Sequence, residues 1–281
     1  MSLTDPRQRA LALIERRLFQ PLTLGELAAE SGLSPFHLCR LFTAVLGEGP
    51  MAYVRRRRLV GAAARLLAQH EIRLVDLAFD CGFESQQAFT RAFTRLFGVS
   101  PGRFRQGRGP LQTPGDPVMT TSVDVALRPG LQHRPAFRAA GLHGRFDSST
   151  RGAIPTLWDR FVPRLPLPGQ AGNDTYGLCW SGDLDKGFEY MAAVALDPGA
   201  AVPEGIDVKD VPAQAYAVFR LTLSGEELHP QMAAAMNRIW GGWLQEAGLK
   251  PRGGPDFEFY PAGFDARRKG GWVEMWIPVE G

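Results

Sequence analysis

The chain has 281 residues, more than one typical single-core domain and enough for two or three. Hydrophobic residues make up 44% of it and charged residues 22%, as is ordinary for a soluble globular protein. The sequence contains no stretch near the roughly 20 apolar residues that a membrane span needs. Its polar N-terminus lacks the apolar core of a secretory signal, so we expect a cytoplasmic protein without a membrane partner.

Charge is distributed unevenly along the chain. Residues 1–110 hold 16 arginines, no lysine and nine acidic residues, a net charge of +7, whereas the remainder carries a net charge of −4. A basic N-terminal part joined to a slightly acidic C-terminal part indicates that polyanion binding is confined to the first of them.

A segment rich in glycine and proline separates the two parts. Residues 106–117 contain six Gly or Pro in twelve positions, a composition that cannot hold a helix or a central strand. Apolar residues recur at helical spacing before this segment, and strand-like alternations lie between helices after it. We therefore predict a helical domain at 1–106, a linker at 107–119 and a second domain at 120–281.

The helical domain contains an internal repeat with an offset of about fifty positions. Each copy is typical of a short helix, a glycine-bearing turn and a longer helix. In the first copy Thr23 and Glu26 form a capping box, Gly32 supplies the turn, and Ser34-Pro35 opens the longer helix. The shared residues are Glu26-Leu27-Ala28, Gly32-Leu33 and Leu38-x-Arg40-x-Phe42 in the first copy, and Asp76-Leu77-Ala78, Gly82-Phe83 and Phe89-x-Arg91-x-Phe93 in the second.

Two further helices complete this domain. Asp5-Pro6 caps a helix that we expect to extend through Phe19, and residues 50–68 form a helix that joins the two copies. The joining helix carries the run Arg55–Arg58. Because adjacent helical positions point in different directions, at most one or two of these arginines can face a phosphate, and a solvated surface is the favoured role.

The second copy carries the most specific pattern of the N-terminal half. It contains Gly82-Phe83-Glu84-Ser85-Gln86-Gln87-Ala88-Phe89-Thr90-Arg91-Ala92-Phe93 and then Phe97-Gly98-Val99-Ser100-Pro101. With these residues, positions 7–106 resemble the AraC/XylS family of bacterial regulators. The resemblance implies tandem helix-turn-helix units whose second helices enter adjacent major-groove segments of double-stranded DNA, about 34 Å apart. RNA polymerase is a further candidate partner.

The resemblance also implies, by position, which side chains contact DNA. The first recognition helix (residues 34–46) offers Phe36, His37 and Arg40, and the second (residues 85–96) offers Gln86, Gln87 and Arg91. Ser34, Ser85 and Arg95 are candidates for phosphate contacts that set the register. Glutamine pairs with adenine and arginine with guanine, while Cys39 is a poor base reader. We therefore expect the second unit to read bases and the first mainly to anchor the protein.

Residues 120–281 also show an internal duplication. Pro135-Ala136-x-x-x-Ala140 recurs as Pro212-Ala213-x-x-x-Ala217, each within a strand-like segment. A helix follows each copy, at about 154–162 and 229–246. Paired strands come next, at 176–180 with 189–196 and at 257–260 with 271–279. The predicted fold class is therefore multidomain: an all-α tandem helix-turn-helix domain, then an α+β domain of two β-α-β-β copies with a groove along the duplication axis.

The C-terminal half resembles the GyrI-like effector-binding domain of AraC-type and MerR-type multidrug regulators. The matching residues are Phe188-Glu189-Tyr190-Met191-Ala192-Ala193-Val194, Phe257-Glu258-Phe259-Tyr260 and Glu274-Met275-Trp276-Ile277-Pro278-Val279. The resemblance implies a pocket for a bulky, often cationic, aromatic effector with a central glutamate, by position Glu258. Glu189 and Glu274 are rival pocket acids. The remaining predicted ligand-binding residues are Tyr260, Trp180, Tyr190, Trp240 and Trp276, whose rings suit cation–π contact.

The sequence predicts no catalytic residues, no metal site and no cofactor. It shows no Ser-His-acid, metal-ligand or phosphate-loop pattern, and its five histidines form no metal-spaced pair. Cys39, Cys81 and Cys179 are scattered and are typical of buried thiols. Two alternatives stay open: the C-terminal domain hydrolyses a small molecule with a pocket glutamate as base, or it binds another protein.

Overall fold

The computed structural model describes residues 5–69, 71–108, 130–147, 150–183 and 187–280. Most of the predicted linker lies outside these residues. The chain divides into two compact units, one formed by Met1–Gly32 with Leu46–Thr120 and the other by Leu33–Val45 with Thr121–Gly281. Among the described helices, none has the combination of length and apolar character that would let it cross a bilayer.

The first unit is helical. Its helices are α1 (Pro6–Arg16), α2 (Leu24–Ser31), α4 (Pro50–Ala68), α5 (Leu74–Asp80), α6 (Gln86–Phe97) and α7 (Pro101–Arg105). The predicted N-terminal caps form: Asp5 accepts a hydrogen bond from the Arg7 backbone N–H, and Thr23 and Glu26 form a reciprocal capping box. A core of phenylalanine and aliphatic residues from α4, α5, α6 and α7 holds these helices together.

Helix α1 ends at Arg16, three residues before the predicted end. The prediction of a helix through Phe19 was wrong at this end because Phe19 packs across α4 instead. A Cβ atom built at Gly61 of α4 would lie 2.8 Å from Cζ of Phe19, so the bare glycine makes room for the ring. Helix α1 ends at Arg16, and the residues after it place the Phe19 ring against α4.

The turn between α5 and α6 depends on a glycine and an arginine. Gly82 has a φ of +79°, in the left-handed region that glycine adopts without strain. Beside it, Arg58 of α4 donates hydrogen bonds to the carbonyl oxygens of Leu18, Gln20 and Cys81. Arg58 therefore joins α4 to two turns of the first unit.

The second unit contains α3 (Pro35–Leu46) as far as Val45, together with an antiparallel sheet of eight strands. The strands are β1 (Gly130–Arg134), β2 (Phe137–Phe146), β3 (Gln170–Asp183), β4 (Gly187–Leu196), β5 (Asp207–Val211), β6 (Gln214–Thr222), β7 (Asp256–Tyr260) and β8 (Trp272–Pro278). Helix α8 (Ile154–Phe161) follows β2. Helix α9 (Leu228–Arg238) follows β6 and continues through a π-helical turn, Ile239–Trp243, into the short α10 (Leu244–Glu246).

The strand order β1-β6-β8-β7-β3-β4-β2-β5 confirms the predicted duplication. The copies β2-α8-β3-β4 and β6-α9-β7-β8 meet where β3 pairs with β7. The short strands β1 and β5 were not predicted. Strand β1, which precedes the first copy, pairs with β6 of the second copy, and β5, which precedes the second copy, pairs with β2 of the first. If each strand is replaced by its equivalent in the other copy, the strand order reads the same from the opposite edge of the sheet. The duplication axis therefore passes between β3 and β7.

The two faces of the sheet differ in what covers them. On the face that we call the helix face, Tyr260, Phe219 and Met275 share a core with residues of α9 and its π-helical turn. On the opposite face, Tyr176, Phe257 and Trp276 belong to a separate core. Because side chains alternate along a strand, this assignment decides which residues can share a pocket.

Candidate DNA-binding and ligand-binding sites

Helix α6 presents a polar stripe to solvent. Gln86, Gln87, Arg91 and Arg95 are exposed, and the last three follow each other at intervals of four residues, on one side of the helix. The buried side carries Phe89, Phe93 and Phe97. Ser85 caps the helix by accepting a hydrogen bond from the Ala88 backbone N–H at 3.2 Å. Glutamine and arginine are side chains able to form bidentate contacts with adenine and guanine in a major groove.

Helix α3, the predicted first recognition helix, is different because seven of its twelve residues are buried. Ser34 caps it, accepting a hydrogen bond from the His37 backbone N–H at 3.2 Å. The predicted DNA contacts Phe36 and His37 are 7% and 0% exposed, and the Arg40 side chain is 20% exposed. The other buried residues of the helix are Leu38, Cys39, Leu41, Phe42 and Val45. In this conformation Phe36 and His37 offer DNA almost no side-chain surface.

Three of the four arginines in the run Arg55–Arg58 on α4 have partners within the first unit. Arg56 pairs with Glu48 at 2.6 Å, and Arg57 donates two hydrogen bonds to Glu15. Arg58 donates hydrogen bonds to the carbonyl oxygens of two turns, as described above. These contacts give the arginine run a structural role and favour neither phosphate contact nor a freely solvated surface for these three.

Glu258 lies on β7 at the duplication axis, on the helix face. Its carboxylate accepts hydrogen bonds from the phenol groups of Tyr190 at 2.8 Å and Tyr260 at 2.9 Å. Trp158 of α8 donates its indole N–H to the Tyr190 oxygen at 3.0 Å, which leaves that phenol free to donate to Glu258. Gly177, opposite Glu258 on β3, has no side chain, and a Cβ there would clash with the carboxylate. The predicted grouping of Glu258, Tyr190 and Tyr260 is therefore present in the structure.

The environment of Glu258 favours a proton or a cation. Burial raises the pKa of the Glu258 carboxyl above its ordinary value, although the two phenol hydrogen bonds lower it. Burial and the charge of Glu258 raise the pKa values of Tyr190 and Tyr260 well above that of a free tyrosine, so both phenols keep their protons. A buried carboxylate among aromatic rings is the arrangement that binds a desolvated organic cation.

Asp256 lies two residues before Glu258, on the same face of β7, and sequence reasoning missed it. Its Oδ1 atom lies 3.2 Å from Nη2 of Arg40 on α3. Burial raises the pKa of Asp256 to about 6 against the attraction of Arg40. Burial lowers the pKa of Arg40, but Asp256, Cys179 and Glu258 outweigh it and raise the value above that of a free arginine. The pair is therefore ionised above pH 6.

The space around this pair is almost filled. The cavity beside Asp256 and Glu258 has a volume of about 10 Å³, and its lining includes Arg40, Gly177 and Cys179. This is about the volume that one water molecule occupies. A wider groove of about 290 Å³ lies next to the N-terminal end of α3, lined by Phe36, His37, Trp180, Lys209 and residues 253–255 among others.

Two predicted ligand-binding residues do not share the Glu258 pocket. Trp276 stacks on Phe257 at 5.4 Å between ring centroids, and Trp180 stacks on His143 at 5.5 Å. Both tryptophans belong to the opposite face of the sheet. Trp240, by contrast, lies in the helix-face core, where its ring stacks on His37 at 5.1 Å.

The rival acids also lie away from the Glu258 pocket. Glu189 is paired with His143 and Arg145, and it faces the same side as Trp180, its partner across the strands. Glu274 is paired with Arg220 at 2.7 Å and lies across from Phe259. Both carboxylates are therefore paired with basic side chains on the opposite face. Of these three acids, Glu258 alone lies on the face covered by α8 and α9.

The part of the chain that the structure describes contains no cluster of three or more His, Cys, Asp or Glu side chains able to hold a metal ion. The residues that sequence reasoning left out of the pocket are Asp256, Trp158 and Arg40. The position of Asp256, two residues from Glu258 on a strand, was the available signal for the first of them.

Comparison with known families supports the two-part architecture. Residues 129–280 match the GyrI-like small molecule binding domain, and residues 27–107 match a helix-turn-helix domain. These matches confirm the predicted combination of an AraC-type DNA-binding region with a C-terminal GyrI-like domain. The exact domain boundaries stay a prediction, and the compact units differ from them because residues 33–45 pack with the sheet.

Several curated relatives are transcription regulators. Transcriptional regulator BrlR of Pseudomonas aeruginosa is 37% identical over 153 residues, covering 52% of this chain and 53% of BrlR. The right origin-binding protein of Escherichia coli strain K12 is 42% identical over 98 residues, covering 34% of this chain and 33% of that protein. The chain thus spans about half or less of the length of these relatives.

Among solved structures, one of a protein bound to tetraphenylphosphonium is 23% identical, with a TM-score of 0.46. The similarity covers 55% of this chain and 94% of that one.

Proposed function

Because the chain belongs to the GyrI-like small-molecule binding family and also carries an AraC-type helix-turn-helix region, we propose that it is a cytoplasmic transcription regulator. It binds double-stranded DNA through α6 and α3, and a small molecule bound in the C-terminal half controls this binding. RNA polymerase is the protein partner expected of a regulator that activates transcription. The observation that carries the DNA-binding proposal is the exposed stripe of Gln86, Gln87, Arg91 and Arg95 on α6.

The proposed effector is a bulky aromatic cation. Glu258 supplies the negative charge. Aromatic rings surround it: the phenols of Tyr190 and Tyr260 donate hydrogen bonds to its carboxylate, and the indole of Trp158 donates one to the Tyr190 oxygen. A neutral apolar molecule would leave the buried carboxylate without a partner of opposite charge, at a cost in free energy. A cation would provide that partner while its rings pack against the tyrosines and the tryptophan.

Selection of binding sites from a random DNA library with the full-length chain tests this proposal. We expect a recovered site whose affinity exceeds that for random DNA by at least about a thousandfold. Addition of tetraphenylphosphonium, a bulky aromatic cation, should change the affinity for that site. Recovery of no preferred sequence, with or without the cation, would contradict the proposal.

Hydrolysis of a small molecule is the second candidate function. The raised pKa of Glu258 and its two phenol neighbours are features that also suit general acid–base catalysis. Incubation of the chain with a cationic aromatic ester separates the two functions. Product release that Glu258→Gln abolishes would establish an enzyme, whereas binding without turnover supports the regulator.

A further inference from the structure

The first recognition helix and the effector pocket share one structural unit. Residues 33–45 pack with the sheet of the C-terminal half. His37 stacks on Trp240, Arg40 pairs with Asp256, and Ala44 packs against the helix-face core. These residues recur at intervals of three and four along α3, so they form a single stripe on one side of the helix.

Arg40 occupies the position that a cationic ligand would need. Its guanidinium pairs with Asp256, and it lines the same small cavity as Glu258. The remaining cavity of about 10 Å³ has no room for an aromatic molecule. Arg40 is thus a cation of the chain itself, held among acidic groups at the duplication axis.

The packing around Arg40 is incomplete in its hydrogen bonds. Nε of Arg40, Oδ2 of Asp256, both ring nitrogens of His37 and Nε1 of Trp240 are buried without a hydrogen-bond partner among the described residues. Buried polar atoms without partners raise the free energy of a contact. A contact with several such atoms is one that a competing ligand can displace.

We propose that Arg40 is an intramolecular competitor of the effector: a bulky aromatic cation that binds at Asp256 and Glu258 displaces Arg40 and releases α3 for DNA. This inference deepens the proposed function and rests on it, because it takes a cation as the effector and α3 as a DNA-binding element. It assigns Asp256 to the effector site. It also makes the same side chain, Arg40, either an occupant of the pocket or a reader of DNA.

Calorimetric titration with tetraphenylphosphonium tests the competition without DNA. Arg40→Ala should bind the cation about tenfold tighter than the unmodified chain or more, since the resident cation no longer occupies the site for most of the time. Arg220→Ala is the matched control, because Arg220 pairs with Glu274 on the opposite face and should leave the affinity unchanged. Tetraphenylborate, which has the same shape and the opposite charge, should not bind either protein.

The imidazole of His37 reports the release of α3. Burial, with a contribution from the charge of Arg40, lowers the pKa of His37 to about 3 while the helix is packed. Proton NMR of the histidine rings, assigned with His37→Gln, should show this ring titrating near 6.5 once saturating tetraphenylphosphonium is present. Asp256→Asn should produce the same change without the cation, because it removes the partner of Arg40.

DNA binding by the same proteins completes the test. Asp256→Asn should bind the selected site about tenfold tighter than the unmodified chain, and the cation should tighten the binding of the unmodified chain toward the same value. The competition alone would be overturned if the chain bound DNA specifically while the His37 ring did not begin to titrate near 6.5 with tetraphenylphosphonium and Arg40→Ala bound that cation no tighter than the unmodified chain. Failure of both the unmodified chain and Asp256→Asn to select any DNA site would overturn the proposed function instead.

Discussion

Nη2 of Arg40 lies 3.2 Å from Oδ1 of Asp256, although 216 positions separate the two residues in the chain. This ion pair joins a predicted recognition helix to the strand that carries the central glutamate of the effector pocket. A side chain expected to read DNA is therefore engaged in the pocket instead. The contrast with α6, whose polar stripe is exposed, makes the two helix-turn-helix units unequal in this structure.

Arg91→Ala should reduce affinity for the selected DNA site by about 1–3 kcal/mol, because bidentate contacts between arginine and guanine discriminate between bases. Affinity for random DNA should change much less. Arg95→Ala, one turn further along α6, is the matched control and should weaken both by a similar factor while lowering the salt dependence. Equal losses on both DNAs for Arg91→Ala would show that Arg91 contacts only phosphate. Electrophoretic mobility shifts at two salt concentrations provide the measurement.

Glu258→Gln should weaken binding of tetraphenylphosphonium by about tenfold to a hundredfold, the amount expected for loss of an interaction with a charged group. Glu274→Gln is the control, since that carboxylate lies on the opposite face and is paired with Arg220. Calorimetry on the two variants makes the comparison. An unchanged affinity in Glu258→Gln would remove Glu258 from the effector site.

His37→Gln should alter how the stability of the second unit depends on pH. The pKa of His37 is lowered from 6.5 to about 3 by burial first and by Arg40 second. The unfolded chain therefore binds the extra proton, so this contribution to stability is complete above pH 6.5 and is lost as pH falls toward 3. Between pH 7.5 and 5.5 the unmodified chain should lose about 1.4 kcal/mol relative to the variant.

Tryptophan fluorescence during urea unfolding measures this difference. All six tryptophans lie in the C-terminal half, so their signal follows the second unit. Asp256, whose pKa is raised to about 6, adds the opposite trend, because protonation of its carboxyl in the folded state becomes favourable as pH falls below 6. That trend is common to both proteins and cancels in the comparison. A constant difference between them at the two pH values would contradict the burial of His37.

Gly82→Ala should destabilise the first unit more than Gly98→Ala. Both glycines have left-handed φ angles, +79° and +75°, so alanine at either position costs about 1–2 kcal/mol. A Cβ at Gly82 would also lie 2.6 Å from Nη1 of Arg58, whereas at Gly98 it would meet nothing within 4 Å. Displacement of Arg58 should add about 1 kcal/mol for each hydrogen bond lost. Thermal unfolding followed by helical circular dichroism distinguishes the two variants, and equal losses would contradict the role of Arg58.

Much of the helix-turn-helix region follows from signals within a few residues. The cap at Asp5, the capping box at Thr23 and the glycine turns appear where the sequence predicts them, since each depends on hydrogen bonds or backbone angles of adjacent positions. The end of α1 was mispredicted because it depends on a contact between Phe19 and the distant Gly61. The edge strands β1 and β5 were missed because five mostly solvent-accessible residues show no clear alternation.

The pocket was predictable only in part. Glu258 and Tyr260 share a face because they lie two apart on one strand, and that follows from the alternation of side chains. Whether Trp276 or Trp180 faces the same way depends on the register between different strands, which no local pattern specifies. The pairing of Phe257 with Trp276 places that tryptophan on the opposite face.

The sequence by itself determined the repeated helix-turn-helix units and the duplicated α+β half, because caps, turns and periodicity act over a few residues, while the choice of Glu258 as the acidic centre came from the resemblance to the GyrI-like domain. Only the tertiary structure decided that Gln87 and Arg91 of α6 are exposed while Phe36 and His37 of α3 are buried, and that Arg40 lies against Asp256. Such contacts join residues far apart in the chain, and their formation depends on the packing of whole elements rather than on the preferences of any one of them.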